Sequence, residues 1–430
     1  MASNTDIELR KGIIYSAFIR NHTKEGTFRS FEKDLDRIKA LGTDIIWLLP
    51  IHPIGVKNRK GKEGSPYAIS DFRTVNPEFG TFKDFSHLVD EIHNRGMKCI
   101  IDVVYNHTSK DSVLLKEHPE FFHWDDKGDI ITMIPEWDDI VDLNYENKEL
   151  WEYLITTLEQ WAGFVDGFRC DVAPKVPIDF WIQARKRVEG INPSTIWLAE
   201  SADSLFVKQI RNYGQHCSSD SELYQAFDIC YDYDIRGIFM DYLEGRLNAS
   251  IYARLLMMQE GTYPENYIKL RFLENHDQPR ISELVKNESN IYNWTTFMYL
   301  INGSVLIYEG QECMSKHRPS IFDKDDIEWN YNHPMNQFLI KMGTIKKENI
   351  STGAILNLYG DDDTDIFVIE QKSKDRKLTA VLSLKGKDGY VKVSLPNGIY
   401  KNLIDGQIVK VEYNKIYSQG LPIIITEKIL

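Results

Sequence analysis

The chain has 430 residues and a formal net charge of −13, with 51 Lys and Arg against 64 Asp and Glu. Its 42% hydrophobic content excludes wholesale disorder. No run approaches the ~18 apolar residues of a membrane span, and the acidic balance argues against nucleic acid as the main partner. The five cysteines (Cys99, Cys170, Cys217, Cys230, Cys313) are odd in number and lack metal-ligand spacing. They are expected to be reduced. The polar start, Met1–Arg10, has no apolar signal core. The expectation is a cytoplasmic protein, or a secreted one whose signal peptide has been removed. No interface signature fixes an oligomeric state.

In chain order, Gly12–Phe18 reads as a strand. Phe31, Leu35, Ile38 and Leu41 recur at helical spacing, with Gly42 as a stop. Ile45–Leu49 is the next strand. Thr81 can cap a helix carrying Phe85, Leu88, Val89 and Ile92, closed by Gly96. Met97–Tyr105 is a continuous apolar strand interrupted by Asp102. Leu150, Trp151, Leu154, Leu158 and Trp161 line a helix face, and Phe164–Asp171 follows as a strand. Phe180, Trp181, Ala184 and Val188 give another helix before the strand Ile196–Glu200. Ala226–Tyr231, Ile268–Glu274 and Val305–Tyr308 bring the strand count to about eight.

Apolar strands alternating with helices imply a parallel sheet buried on both faces. Eight such units over about 340 residues predict a closed (β/α)8 barrel (TIM barrel), whose minimal form takes about 250. A doubly wound open sheet is the alternative. Residues 107–144 are too long for a plain connection and read as an inserted subdomain or active-site loop. Beyond Ser351 the runs become β-rich, at Ile366–Gln371, Leu378–Leu384, Tyr390–Leu395 and Leu421–Ile425. Turn signals fall at Lys385–Gly389, Pro396–Gly398 and Asp405–Gly406. The division is therefore a barrel from 1–106 and 145–350, the insertion 107–144, and an antiparallel domain over 351–430.

A barrel places its chemistry at the C-terminal ends of its strands. Four strands bring charge there: Asp102 to His107, Arg169 to Asp171, Glu200, and Glu274 to Asp277. An isolated buried carboxylate costs several kcal/mol, so four strands each bringing one to the same rim are hard to explain as structure alone; a buried salt-bridge network is the alternative to a catalytic site. Arg169 and Asp171 share a strand face, so Arg169 is expected to hold Asp171 ionised, as a nucleophile requires. Glu200 follows an apolar run whose desolvation would raise its pKa, as a general acid requires. Carboxyls on adjacent strands can stand about 5 Å apart, the separation of a retaining glycosidase. His107 and His276 could donate to sugar hydroxyls or anchor loops. Asp277 could accept from hydroxyls that tighten in the transition state. Tyr67 offers a flat face to a pyranose ring.

Taken together, these segments resemble the α-amylase family of glycoside hydrolases, family 13. Gly26–Leu49, Tyr67–His107, Asp142–Asn147, Gly163–Asp171, Glu200, Phe272–Asp277 and Leu306–Glu312 occur in the family's order over nearly the whole chain. The resemblance implies a barrel, a small domain inserted after the third strand and a C-terminal β-sandwich. It implies Asp171 as nucleophile, Glu200 as general acid/base, Asp277 as transition-state stabiliser and Arg169 as the arginine orienting the nucleophile. Tyr67, His107 and His276 match residues around the sugar at the cleavage point, and Asp102 a structural partner of the arginine. In calcium-dependent members, Asn106 and the aspartate matching Asp142 hold a structural Ca2+; hydrogen bonding without metal is the alternative. A second calcium loop would fall at Asn21–Thr27, which lacks the aspartates, and no site is expected there.

Some residues depart from the family pattern. Val172 after the nucleophile is associated with α-1,6-acting relatives. Pro174 and Lys175 stand where many α-amylases meet the leaving-group sugar with a lysine and then a histidine. Phe180 and Trp181 either wall the cleft or pack. The implied function is retaining hydrolysis of α-1,4 bonds in starch-like polysaccharides or maltooligosaccharides, with no organic cofactor. An α-1,6-glucosidase, a glucanotransferase, an isomerising synthase and a catalytically dead glycan-binding barrel are the alternatives.

Overall fold

The computed structural model describes residues 2, 4–134 and 136–429. Eight short, almost fully buried strands close into a parallel barrel. They are β1 (Ile13–Ala17), β2 (Ile45–Leu48), β3 (Lys98–Val103), β6 (Gly167–Cys170), β7 (Ile196–Ala199), β8 (Ile229–Tyr231), β9 (Ile268–Arg271) and β10 (Ser304–Tyr308). Two further strands, β4 (His107–Ser109) and β5 (Ile140–Asp142), lie between β3 and β6. Closure is explicit: β1 pairs with both β2 and β10, all parallel. This excludes the open sheet.

Local signals explain the crossings. Thr81 and Asp84 form a reciprocal capping box that starts the helix Phe82–Asn94, which buries Phe85, Leu88, Val89 and Ile92. Asn147 caps the helix Lys148–Ala162, which buries Leu150, Trp151, Leu154, Leu158 and Trp161. The single helix expected over 31–41 is instead two, Phe28–Glu32 and Leu35–Ala40. The break falls at Lys33–Asp34, where the Asp34 carboxylate is held by His22 Nε2 at 2.9 Å. Strand ends are shorter than the apolar runs suggested, because several runs extend beyond the ladder into the loops that build the rim. All five cysteines are free and buried. Among the described residues, no helix is long and apolar enough to cross a membrane.

The C-terminal region is an antiparallel sheet of β11 (Ile355–Asp361), β12 (Ile366–Lys372), β13 (Arg376–Leu382) and β18 (Ile423–Lys428), in that order. Two ribbons accompany it, β14 (Gly389–Lys392) with β17 (Lys415–Ser418), and β15 (Gly398–Lys401) with β16 (Ile408–Val411). Strands β11, β15, β16 and β17 were not expected. β15, β16 and β17 alternate exposed with half-buried or buried positions, and β11 is mostly half-buried, so none carries a continuous apolar run. Ile366, Val368, Val381, Val391 and Ile416 form a second core between sheet and ribbons. The sheet docks on the barrel where Gly360 meets the helix Ala249–Thr262. A Cβ there would stand 2.4 Å from the Ala249 carbonyl carbon, so the contact admits only glycine.

Candidate active site

The barrel register puts Asp102 directly beside Arg169 on paired strands. Both are fully buried, and Arg169 Nη1 reaches Asp102 Oδ1 at 2.9 Å and Asp171 Oδ1 at 2.8 Å. Its Nη2 makes an ion pair with Glu200 Oε1 at 3.1 Å, and its Nε donates to the Tyr231 hydroxyl at 3.2 Å. The guanidinium lies among the rings of Trp47, Tyr231 and Tyr67, with its carbon 5.2, 5.4 and 5.7 Å from their centroids. One cation thus faces three carboxyls from three neighbouring strand ends. The two carboxyls proposed for chemistry lie across a single guanidinium, at the C-terminal rim of β6 and β7.

Arg169 contacts Asp171 as expected, yet it does not decide the charge balance. Burial, then the Glu200 charge, push the Asp171 carboxyl well above its usual range, with Arg169 opposing. Burial likewise pushes Asp102 up to about 6 against the pull of Arg169. One guanidinium does not offset the burial of both Asp102 and Asp171, so in the free protein this buried pair holds a proton up to mildly acidic pH.

Asp277 completes the wall with a 41% exposed side chain. Desolvation raises its carboxyl, but His276, at 3.1 Å, together with Arg169 and Arg318, outweighs this and holds it down at about 2. Tyr67 stacks on His276 with centroids 5.5 Å apart. Its hydroxyl contacts His276 Nε2 at 2.7 Å and donates to Asp102 at 3.1 Å. His107 is buried, and burial lowers it to about 4, so near neutral pH it presents an uncharged imidazole.

Tyr67, His107, Asp171, Glu200 and Asp277 line one cavity of about 360 Å3. His276 and Arg169 support it from behind. Glu274 faces elsewhere: it binds Arg280 at 2.7 Å and the Ile281 N–H at 2.6 Å. A second cavity of about 660 Å3 shares Val172, Glu200 and Asp277 with the first and continues past Pro174, Leu205 and Phe206. Trp137 lines both cavities and sits 5.7 Å from the His107 ring. Sequence reasoning missed Trp137, which lies in an irregular polar stretch. Phe180 and Trp181 do not wall the cleft. Both are fully buried, against Tyr105, Tyr145 and Trp197, and the Trp181 indole donates to the Ala173 carbonyl at 3.2 Å.

Asn106 and Asp142 do meet, as expected of a calcium pair, with Asn106 Nδ2 3.4 Å from Asp142 Oδ1. The remaining partners do not suit a cation. Asp142 Oδ2 accepts the Met133 N–H at 2.8 Å, and the Lys175 ammonium lies 3.5 Å from Oδ1. Calcium takes about six to eight oxygens. Among the described residues, no group of three or more His, Cys, Asp and Glu is placed to hold a metal ion. These residues do not fit the calcium that the resemblance implies, because a fixed positive charge already stands beside the one carboxylate. Lys175 lines neither of the two cavities that Glu200 lines.

Comparison with known proteins agrees with this architecture. The family model for the α-amylase catalytic domain matches residues 13–127 and 120–349, and that for the bacterial α-amylase C-terminal domain matches 357–425. A crystal structure of an α-amylase from Lactobacillus plantarum is 45% identical, with TM-score 0.94, covering 98% of this chain and 100% of that one. The noncanonic maltogenic α-amylase AmyB from Thermotoga neapolitana is 34% identical, with TM-score 0.88, over 98% of this chain and 100% of that one. Among curated relatives, α-amylase MalA of Haloarcula japonica is 24% identical over 80% of this chain, which spans only 50% of MalA's own length. With a closed barrel, a charged rim and both family models matched along its length, the chain belongs to the α-amylase family of glycoside hydrolases, family 13.

Proposed function

We propose that this enzyme is a retaining α-glucan hydrolase acting on α-1,4 bonds of starch-like polysaccharides or maltooligosaccharides. The observation that carries the reading is the bridging of Asp171 and Glu200 by Arg169 beside a common cavity. Such a pair grips a glycosidic bond from two sides. Glu200 protonates the leaving oxygen as Asp171 attacks the anomeric carbon and forms a covalent glycosyl-enzyme. Glu200, now a base, takes a proton from water, which attacks the same carbon and releases Asp171. Asp277, held ionised, accepts from sugar hydroxyls whose bonds shorten in the transition state. The 45% identical α-amylase, matched over 98% of this chain, supports an α-amylase-type hydrolase.

A second reading, transfer of the glycosyl group to a sugar acceptor, draws on the larger cavity. Leu205 there is 75% exposed, and the wall is largely apolar. A sugar's apolar face competes well with water at such a surface.

The test is product analysis on maltoheptaose, isomaltose, sucrose and trehalose, with the anomer of the first product followed by NMR. Cleavage of maltoheptaose with an initial α-anomer is expected. Initial β-anomer, or activity retained in Asp171→Asn, removes the mechanism. Longer oligosaccharides in place of net hydrolysis would select the transfer reading.

A further inference from the structure

The segment between β3 and β6 carries His107 and Trp137 into the cavity, so it must be fixed against the barrel. Its anchor is Asp142, at the end of β5 and opposite His107 in the β4–β5 ladder. Asp142 is 3% exposed. A buried carboxylate requires a positive partner or neutralisation. The Lys175 ammonium is the one cationic side chain paired with it among the described residues.

Lys175 reaches Asp142 from the other side of the junction. It follows Asp171 by four positions, in the short helix Ala173–Lys175. Its side chain is 5% exposed, and its ammonium lies 5.3 Å from the centroid of the Trp137 ring. Asp142 and Trp137, both on the inserted segment, therefore converge on one cation supplied by the loop after the nucleophile. The Met133 N–H and the Asn106 amide complete the carboxylate's shell.

We propose that the Lys175 ammonium does from within the chain what a divalent cation would otherwise do at this junction: it neutralises Asp142 and ties the inserted segment to the loop behind Asp171, so that the fold does not depend on calcium. Because the charge is covalently tethered, no chelator can remove it.

The experiment follows the thermal midpoint of the full chain, which is independent of the glycan specificity proposed above. Wild type is measured in excess EDTA and in millimolar calcium chloride, beside Lys175→Met and Lys175→Arg. Wild type is expected to show the same midpoint in both buffers. Lys175→Met, which keeps the length and loses the charge, should melt several degrees lower. Lys175→Arg should recover part of that loss. A wild-type midpoint that rises by several degrees in calcium, or falls in EDTA, overturns the proposal. A Lys175→Met midpoint equal to wild type overturns it as well.

Discussion

The backbone N–H of Val172 donates to Glu200 Oε2 at 2.8 Å, and Val172 does so from left-handed backbone, with φ 41° and ψ 41°. The bond fixes the Glu200 carboxyl, the proposed acid/base, against the residue that follows Asp171, so the two carboxyls share a backbone reference as well as an arginine. A β-branched residue in this region is a genuine outlier, at a cost of about 1–3 kcal/mol. Neighbouring bonds hold it there: the Asp171 N–H donates to the Val103 carbonyl at 2.9 Å, and the Lys175 N–H to the Val172 carbonyl at 3.0 Å.

Val172→Gly keeps the amide and relieves the strain. The side chain is only half-buried, so little apolar contact is lost. The expected result is a stability gain of about 1 kcal/mol after the entropy cost of glycine. A fall in kcat should accompany it, because a looser Val172 amide positions Glu200 less well. Differential scanning calorimetry with steady-state kinetics checks both. A lower melting midpoint would show that the left-handed backbone costs valine nothing here.

The rim carboxyls were readable because barrel strands are buried on both faces. Against such apolar runs, Asp102, Arg169, Asp171 and Glu200 stand out as charges that need a reason. The charge balance was not readable. Arg169 and Asp171 are neighbours on one strand face, but Asp102 and Glu200 come to the same guanidinium only when the barrel closes, and together they outweigh it. Trp137 and the Lys175–Asp142 contact were hidden for a related reason: both depend on how a non-periodic segment folds back over the rim. Helical spacing marked Phe180 and Trp181 as a pair facing one way, yet spacing does not say whether that way is core or cleft. In the C-terminal region, β15, β16 and β17 expose alternate residues to solvent, so the hydrophobic signal that marked β12 and β13 was absent.

The acid cluster sets an expectation for pH. In the proposed mechanism Asp171 must be ionised to attack, and its carboxyl is raised by burial first, then by the charges of Glu200 and, more weakly, Asp102. In wild type, kcat/KM should therefore fall on the acid side as the cluster takes up its proton. Asp102→Asn removes one negative charge from around Arg169 and keeps an oxygen that can accept from Nη1. Asp171 should then lose its proton at lower pH, and the acid limb should move down. The plateau should fall too, because Arg169 is held less firmly. A full pH profile of kcat/KM for both proteins decides the matter. An acid limb that stays in place, or moves up, would mean that Asp102 does not act on Asp171 through charge.

Lys346 carries a pH effect away from the cleft. It sits in the helix Pro334–Asn349, is 1% exposed, and donates to the carbonyls of Tyr299 and Gly303, both at 3.0 Å. Burial, and then the charge of Arg271, lower the ammonium to about 7 from the ordinary lysine value of 10.5. Between those values the unfolded chain binds a proton that the folded chain does not, so stability rises with pH across that window. The penalty is fully present below the folded value, vanishes above the unfolded one, and amounts to several kcal/mol over the whole range. Lys346→Met fills nearly the same volume without a titrating group. It leaves the two carbonyls unpaired at every pH, so its absolute stability says little and its slope says much. Denaturant unfolding between about pH 7 and about pH 9 should show wild type gaining stability relative to Lys346→Met across the interval. Parallel curves for the two proteins would mean that Lys346 stays charged in the folded chain, with both carbonyls solvating a buried ammonium.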